Sequence, residues 1–210
     1  MTTLGAMKAD LVEIIGDGGK TTEIAAAINR AIAETQHRGY WFSRSREETF
    51  VTVAGQVWYP ASHDTSIPKI IRLDEAFVID TDHNWCLERI SAGEIEADTG
   101  GTPSRTRPSC YALLGEQIGL YPMPDAVYTI RLHGLFQVAA PASDGETGNP
   151  WMEEGYSLIR AMAAFDLIFN LHQDPERAAP HAAVVERRLS ELRVQSNRHS
   201  LPRRLTPARF

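Results

Sequence analysis

Cysteine is nearly absent. Cys86 and Cys110 are the only two among 210 residues, too few for a disulfide framework or a paired-cysteine metal knuckle. Free thiols suit a reducing cytoplasm. Long uncharged apolar runs are also missing: no stretch of about 18 such residues occurs, as a membrane-spanning helix requires. The opening MTTLGAMKADLVEII lacks the basic start and apolar core of a signal peptide. The expectation is a soluble chain made in the cytoplasm and not exported by that route. Positive charge is not in excess either. The net charge is −6, so the molecule as a whole is not a nucleic-acid clamp.

Catalytic spacings are lacking too. Seven histidines (His37, His63, His83, His133, His172, His181 and His199) fall into no HExxH or similar ligand pattern. No GxSxG elbow surrounds a serine. The GDGGKT segment at residues 16–21 is not a phosphate loop. The position that must hold its first glycine is Ile14, and the segment follows a helix rather than a strand. It reads as an interhelical turn. Glu153 and Glu154 begin a helix, where acids suit the dipole. No catalytic residue, cofactor or metal is expected, and the chain is not expected to be an enzyme.

What is present is ordinary globular composition, 43% hydrophobic and 23% charged. The longest near-continuous apolar segment is Trp151–Leu171, WMEEGYSLIRAMAAFDLIFNL. On a helical wheel Leu158, Met162, Phe165 and Phe169 form one stripe. Ile159, Ala161, Leu167, Ile168 and Leu171 spread apolar surface most of the way round, so such a helix is buried on more than one side. One face is expected toward helices near residues 4–38 and 181–195, the other toward a neighbouring subunit. Asp166 lies inside this surface. A buried carboxylate needs a partner, either an arginine of the same chain such as Arg30 or Arg187, a helix cap, or a group on another subunit; a catalytic role is the remaining reading.

Taken in order, residues 3–15 have helical periodicity through Leu4, Met7, Leu11 and Ile14 or Ile15, with Thr2 or Thr3 as N-cap. A second helix is expected over about 22–38, striped by Ile24, Ile28, Ile32 and Thr35, and Tyr40-Trp41-Phe42 closes this part. The period then changes to two. Residues 47–59 read as a hairpin turning at Ala54-Gly55. Strands are expected at 70–80, 85–90, 110–114, 117–121 and 127–138, and Ser91 with Glu94 forms a capping box. Residues 139–150 read as a linker, with Asn149 and Pro150 opening the apolar helix. Asp174-Pro175-Glu176 starts a last helix striped by Ala182, Val185, Leu189 and Leu192, with Pro180 expected to kink it or delay its start. From Arg198 the chain carries four arginines and two prolines and reads as an extended tail.

The fold class expected is α+β. Residues 1–44 and 149–198 form a helical bundle from both chain ends, 45–148 an inserted antiparallel β-rich subdomain, and 199–210 the C-terminal tail.

AIAETQHRGYWF, VTVAGQVWYPASHD, CYALLGEQIGLYPMPDAVYTIRLHGLF and WMEEGYSLIRAMAAFDLIFNLHQDPERAA, in that order, resemble bacteriophage head-to-tail adaptor proteins, also called connector or head-completion proteins. The likeness covers most of residues 20–195. It implies a structural virion protein at the head–tail junction, in a homo-oligomeric ring, usually of twelve copies, docked beneath the portal protein. The helical bundles would pack around the ring, and the β-part would face a downstream tail, nozzle or stopper protein. The tail, with Arg198, Arg203, Arg204, Arg209 and Phe210, would reach the portal. Asp166, Arg160 and Phe169 would lie between subunits. Genomic DNA would pass without sequence-specific binding, since negative subunits discourage sticking, and no membrane is involved. The main alternative is a DNA-binding or packaging accessory protein that uses the arginine-rich tail on phosphates. A small wall-degrading hydrolase is the other, but no convergent acid, base or nucleophile announces it.

Overall fold

The computed structural model describes residues 2–62, 65–99 and 104–200. The fold is α+β, with six α-helices and two four-stranded sheets among those residues. It divides into two compact units, Ser43–Gln137 and the remainder of the chain.

In the helical unit, α1 (Leu4–Ile15) is capped by the Thr3 hydroxyl, which accepts the Ala6 N–H at 3.2 Å. The GDGGKT segment is the turn that follows, held by Asp17 Oδ1 accepting the Gly19 N–H at 2.9 Å. Next comes α2 (Thr21–Thr35), which buries Ile24, Ile28, Ile32 and Thr35. The Thr35 hydroxyl satisfies itself by donating to the Ala31 carbonyl at 2.8 Å, so its burial leaves no orphaned oxygen. A short 3-10 turn, Gln36–Arg38, ends this run.

The segment expected as one helix over 151–171 is broken twice. It consists of α4 (Pro150–Glu153), a break at residues 154–155, α5 (Tyr156–Asp166) and a π-helical turn, Leu167–Leu171. Beside the first break lies Trp151, which is fully buried. A Cβ at Gly155 would lie 2.9 Å from its ring, so glycine admits the indole where any other side chain would collide. The indole N–H donates to the Val138 carbonyl at 2.9 Å. Its ring meets Phe42 edge-on at 5.1 Å and Tyr40 at 6.0 Å. The last helix, α6 (Pro175–Ser200), starts where Asp174 and Pro175 place it and runs through Pro180. It includes His199 and Ser200, which were expected in the extended tail. One apolar cluster joins Met7, Leu11, Ile24, Ile28, Trp151, Leu158, Ile159, Leu167, Ile168 and Leu192.

In the other unit, β1 (Arg44–Val51), β3 (Ile70–Ile79), β4 (Asn84–Cys86) and β8 (Thr129–Phe136) form one sheet in the order β1-β8-β3-β4. The second sheet, in the order β2-β7-β6-β5, contains β2 (Trp58–Pro60), β5 (Glu88–Arg89), β6 (Cys110–Leu114) and β7 (Gln117–Tyr121). The short helix α3 (Ala92–Thr99) begins at the expected capping box, with Ser91 N–H on Glu94 Oε2 at 2.7 Å. The sheets share a core that includes Phe50, Tyr59, Leu73, Val78, Tyr111, Ile118, Leu120, Ile130 and Leu132.

Two sequence expectations fail here for one reason. The hairpin over 47–59 does not form, because β1 spends its hydrogen bonds on β8 and β2 on β7. The chain between them turns a corner from one sheet to the other, pinned by the Tyr59 hydroxyl donating to the Gln56 carbonyl at 2.9 Å. Residues 85–90 likewise change sheets at Leu87. Moreover the β-part is not purely antiparallel, since β5 pairs in parallel with β6.

Gly134 on β8 marks the tightest point of the first sheet. Both neighbours shift register beside it, β1 between Ser45 and Glu48 and β3 between Leu73 and Glu75. A Cβ there would fall 2.3 Å from the Arg72 carbonyl oxygen. Backbone cannot yield as a flexible side chain can, and overpacking costs about 1–3 kcal/mol or more. Gly134→Ala is expected to lower unfolding stability by at least about 1–3 kcal/mol in urea titration, with α-helical circular dichroism retained.

Candidate interaction surfaces

Helix α5 presents three faces. Leu158, Ile159, Ala163 and Ala164 are buried in the apolar cluster. The second face, Met162, Phe165 and Asp166, lines an open groove of about 450 Å³ between α2 and α6. Its apolar wall is completed by Ala27 and Ala31 of α2 and by Val185 and Leu189 of α6, and Arg30, Glu34, Arg38 and Glu186 rim it. Sequence periodicity placed Met162 and Phe165 in the core stripe; they are only half-buried. The π-helical turn prolongs this face. Phe169 stacks on Phe165 at 5.4 Å and is 47% exposed.

Asp166 meets an arginine of its own chain. Arg30 donates to Asp166 Oδ2 through Nε at 3.1 Å, and Asn170 Nδ2 donates to Oδ1 at 2.6 Å. The Arg30 side chain is 57% exposed and that of Asp166 24%, so the pair sets geometry more than it adds stability.

Arg160 lies elsewhere. Six positions before Asp166, it is turned away by roughly 240° at 3.6 residues per turn. It binds Asp10 Oδ2 of α1 at 2.9 Å, and the Tyr156 hydroxyl donates to the same oxygen at 2.8 Å. The Tyr156 hydrogen bond, and then the one from Arg160, hold the Asp10 carboxyl below its ordinary 3.8. Burial and then the Asp10 carboxylate push the Tyr156 hydroxyl up to about 12. Of the three residues expected between subunits, Asp166 and Phe169 therefore share one flank of α5 and Arg160 occupies another.

Of the expected portal-contacting residues, Arg198 is exposed near the end of α6, while Arg203, Arg204, Arg209 and Phe210 lie outside the described residues, as does His63. The end of α6 is anchored to the helical unit. Ser196 Oγ accepts the Trp41 N–H at 3.1 Å and the His199 ring stacks on Trp41 at 4.8 Å. In the β unit, Val51, Val53 and Val127 are exposed around the end of β1 and β8, with Val127 at 71%. No signal in the sequence separated these valines from strand-core residues. Among the described residues there is no group of three or more His, Cys, Asp or Glu able to hold a metal ion. No described helix is long and apolar enough to cross a membrane.

The Asp10 geometry has a pH signature. A carboxylate whose folded pKa is depressed adds stability above its ordinary pKa, and that stability is lost as pH falls through the folded value. Asp10→Asn is expected to melt below the wild type at pH 7, with the gap closing as pH drops below the ordinary 3.8. Thermal melts across pH 2–7 check this, and a gap constant over that range would refute it.

The family model described as SU10 adaptor protein matches residues 2–208, nearly the whole chain. No curated protein matches it significantly. The chain belongs to the SU10 adaptor protein family, and is thus a phage head–tail adaptor, a structural protein.

Proposed function

We propose that this adaptor forms a ring of twelve copies at the head–tail junction of the virion, after synthesis in the host cytoplasm. The ring joins the portal protein to a downstream tail, nozzle or stopper protein and lines the path of the genomic DNA. Family membership over nearly the full chain carries the reading. In it, the helices of both chain ends form the bundle that packs around the ring, and Ser43–Gln137 is an insertion directed to the tail. The exposed Val51, Val53 and Val127 supply apolar surface for that contact. The net charge of −6 favours free passage of DNA without sequence-specific binding.

Neighbouring copies meet through the groove beside α5. Stacked Phe165 and Phe169, with Phe169 47% exposed, form an aromatic anchor of the kind that dominates interface energetics. Asp166, fixed by Arg30 and Asn170, supplies a positioned charge. A ring is a head-to-tail assembly that needs two different faces per copy, and Arg160 on the other flank of α5 belongs to the second. Phe169→Glu is expected to leave the subunit's melting temperature nearly unchanged and to abolish the ring, measured by light-scattering mass with and without portal. A ring of unchanged mass would overturn this interface.

The C-terminal residues from Arg198, including Arg203, Arg204, Arg209 and Phe210, bind the portal. Because Ser196 and His199 anchor α6 on Trp41, the informative truncation removes residues 201–210 and spares that contact. The truncated chain is expected to fold and to lose portal binding in co-sedimentation. Wild-type portal binding by the truncation would refute the role of the tail.

A further inference from the structure

A second, smaller cavity of about 240 Å³ lies between α5 and α6, closed at one side by Ile14 of α1. Its polar lining is Ser157, Arg160, His181, Arg187 and Arg188, with no carboxylate among the lining residues. Helical spacing explains the convergence. Ser157 and Arg160 are three apart on α5, and His181, Val184 and Arg188 follow at three and four on α6, so each set occupies one face. In a chain of net charge −6, this is a concentrated positive site.

The charges nearby do not cancel. Asp10 engages Arg160 at 2.9 Å. Glu191 engages Arg188 at 2.7 Å and Arg187 at 3.8 Å. Two carboxylates thus face three lining arginines. Arg188 Nε is buried with no hydrogen-bond acceptor, a costly state for a charged donor. Burial, then Arg160 and Arg177, hold the His181 imidazole below its ordinary 6.5, so at neutral pH it is an uncharged ring with one N–H to donate.

We propose that this cavity is a binding site for a phosphate-class oxyanion. Guanidinium forks match the several acceptor oxygens of such an anion, and charge-assisted hydrogen bonds of this type are the strong ones. The Ser157 hydroxyl and the His181 N–H are neutral donors at the same place. The volume accommodates the anion with several waters, each taking roughly 30 Å³. The phosphate is either a free anion or a backbone phosphate of nucleic acid.

The test is calorimetric titration of the full-length chain with inorganic phosphate, ionic strength being held constant with chloride. Saturable binding is expected. Arg188→Gln should weaken it at least tenfold, Ser157→Ala severalfold, and Arg46→Gln, whose side chain is 81% exposed in the other unit, not at all. Ser157→Ala removes no charge and decides the matter if Arg188→Gln fails to fold. No saturable heat for the wild type, or affinity unchanged in both pocket variants, would overturn the site. A short DNA duplex that competes with phosphate supports it with nucleic acid as the source. A duplex that does not compete supports it with the free anion as the source.

Discussion

Burial of the Trp151 indole is the constraint on which the helical unit depends. Trp151 touches the chain at both places where it passes between units, Tyr40 and Phe42 before the exit and Val138 at the return. A buried tryptophan contributes 150–250 Å² of apolar contact and must satisfy its N–H; the Val138 carbonyl meets that need. The local sequence serves this side chain. Asn149 caps α4 by accepting the Trp151 N–H at 3.1 Å, Pro150 opens the helix, and Gly155 makes room for the ring. Beyond Trp151 the helix breaks at residues 154–155, where Gly155 lies against the indole with no room for a Cβ.

The β unit obeys a different rule, the distribution of backbone hydrogen bonds between two sheets. Strands adjacent in sequence are separated in the structure whenever a partner from farther along the chain takes their ladder. Thus β8 pairs with both β1 and β3, drawing β1 away from β2. The register shifts beside Gly134 bend β1 and β3 locally, since an extra residue in one strand increases twist. Val51, Val53 and Val127 remain outside on the rim of that sheet.

The groove and the cavity beside α5 differ in kind. One is an apolar groove with a charged rim, suited to protein contact. The other is a polar cavity with three arginines. Both arise because α6 packs against α5 while α2 and α1 flank it on different sides. Gaps remain where small side chains and long cationic ones meet: Ala27, Ala31 and Ala182 in the groove, Arg160 and Arg188 in the cavity.

The α+β class, the starts of α1, α2 and α6, the Ser91–Glu94 capping box and the alternation in β8 were legible in the sequence, because each follows from contacts within a few residues. The isolation of Asp166 in apolar surface also correctly demanded a partner, and Arg30 was among those named. Tertiary packing alone decided the rest. Periodicity marks an apolar face but not whether protein or solvent lies opposite, so Met162 and Phe165 read as core although α2 and α6 leave them half open. Strand pairing depends on which distant segment arrives, so the corner after Val51 and the sheet change at Leu87 left no local mark. His181 fell into no ligand pattern, and only the packing of α6 on α5 brought it beside Arg160. The sequence by itself determined most of the helical and extended segments and that the 151–171 stretch would be apolar nearly all round; the three-dimensional arrangement decided where that stretch breaks and which of its faces are core, groove and cation-lined cavity, because that depends on which helices pack against it.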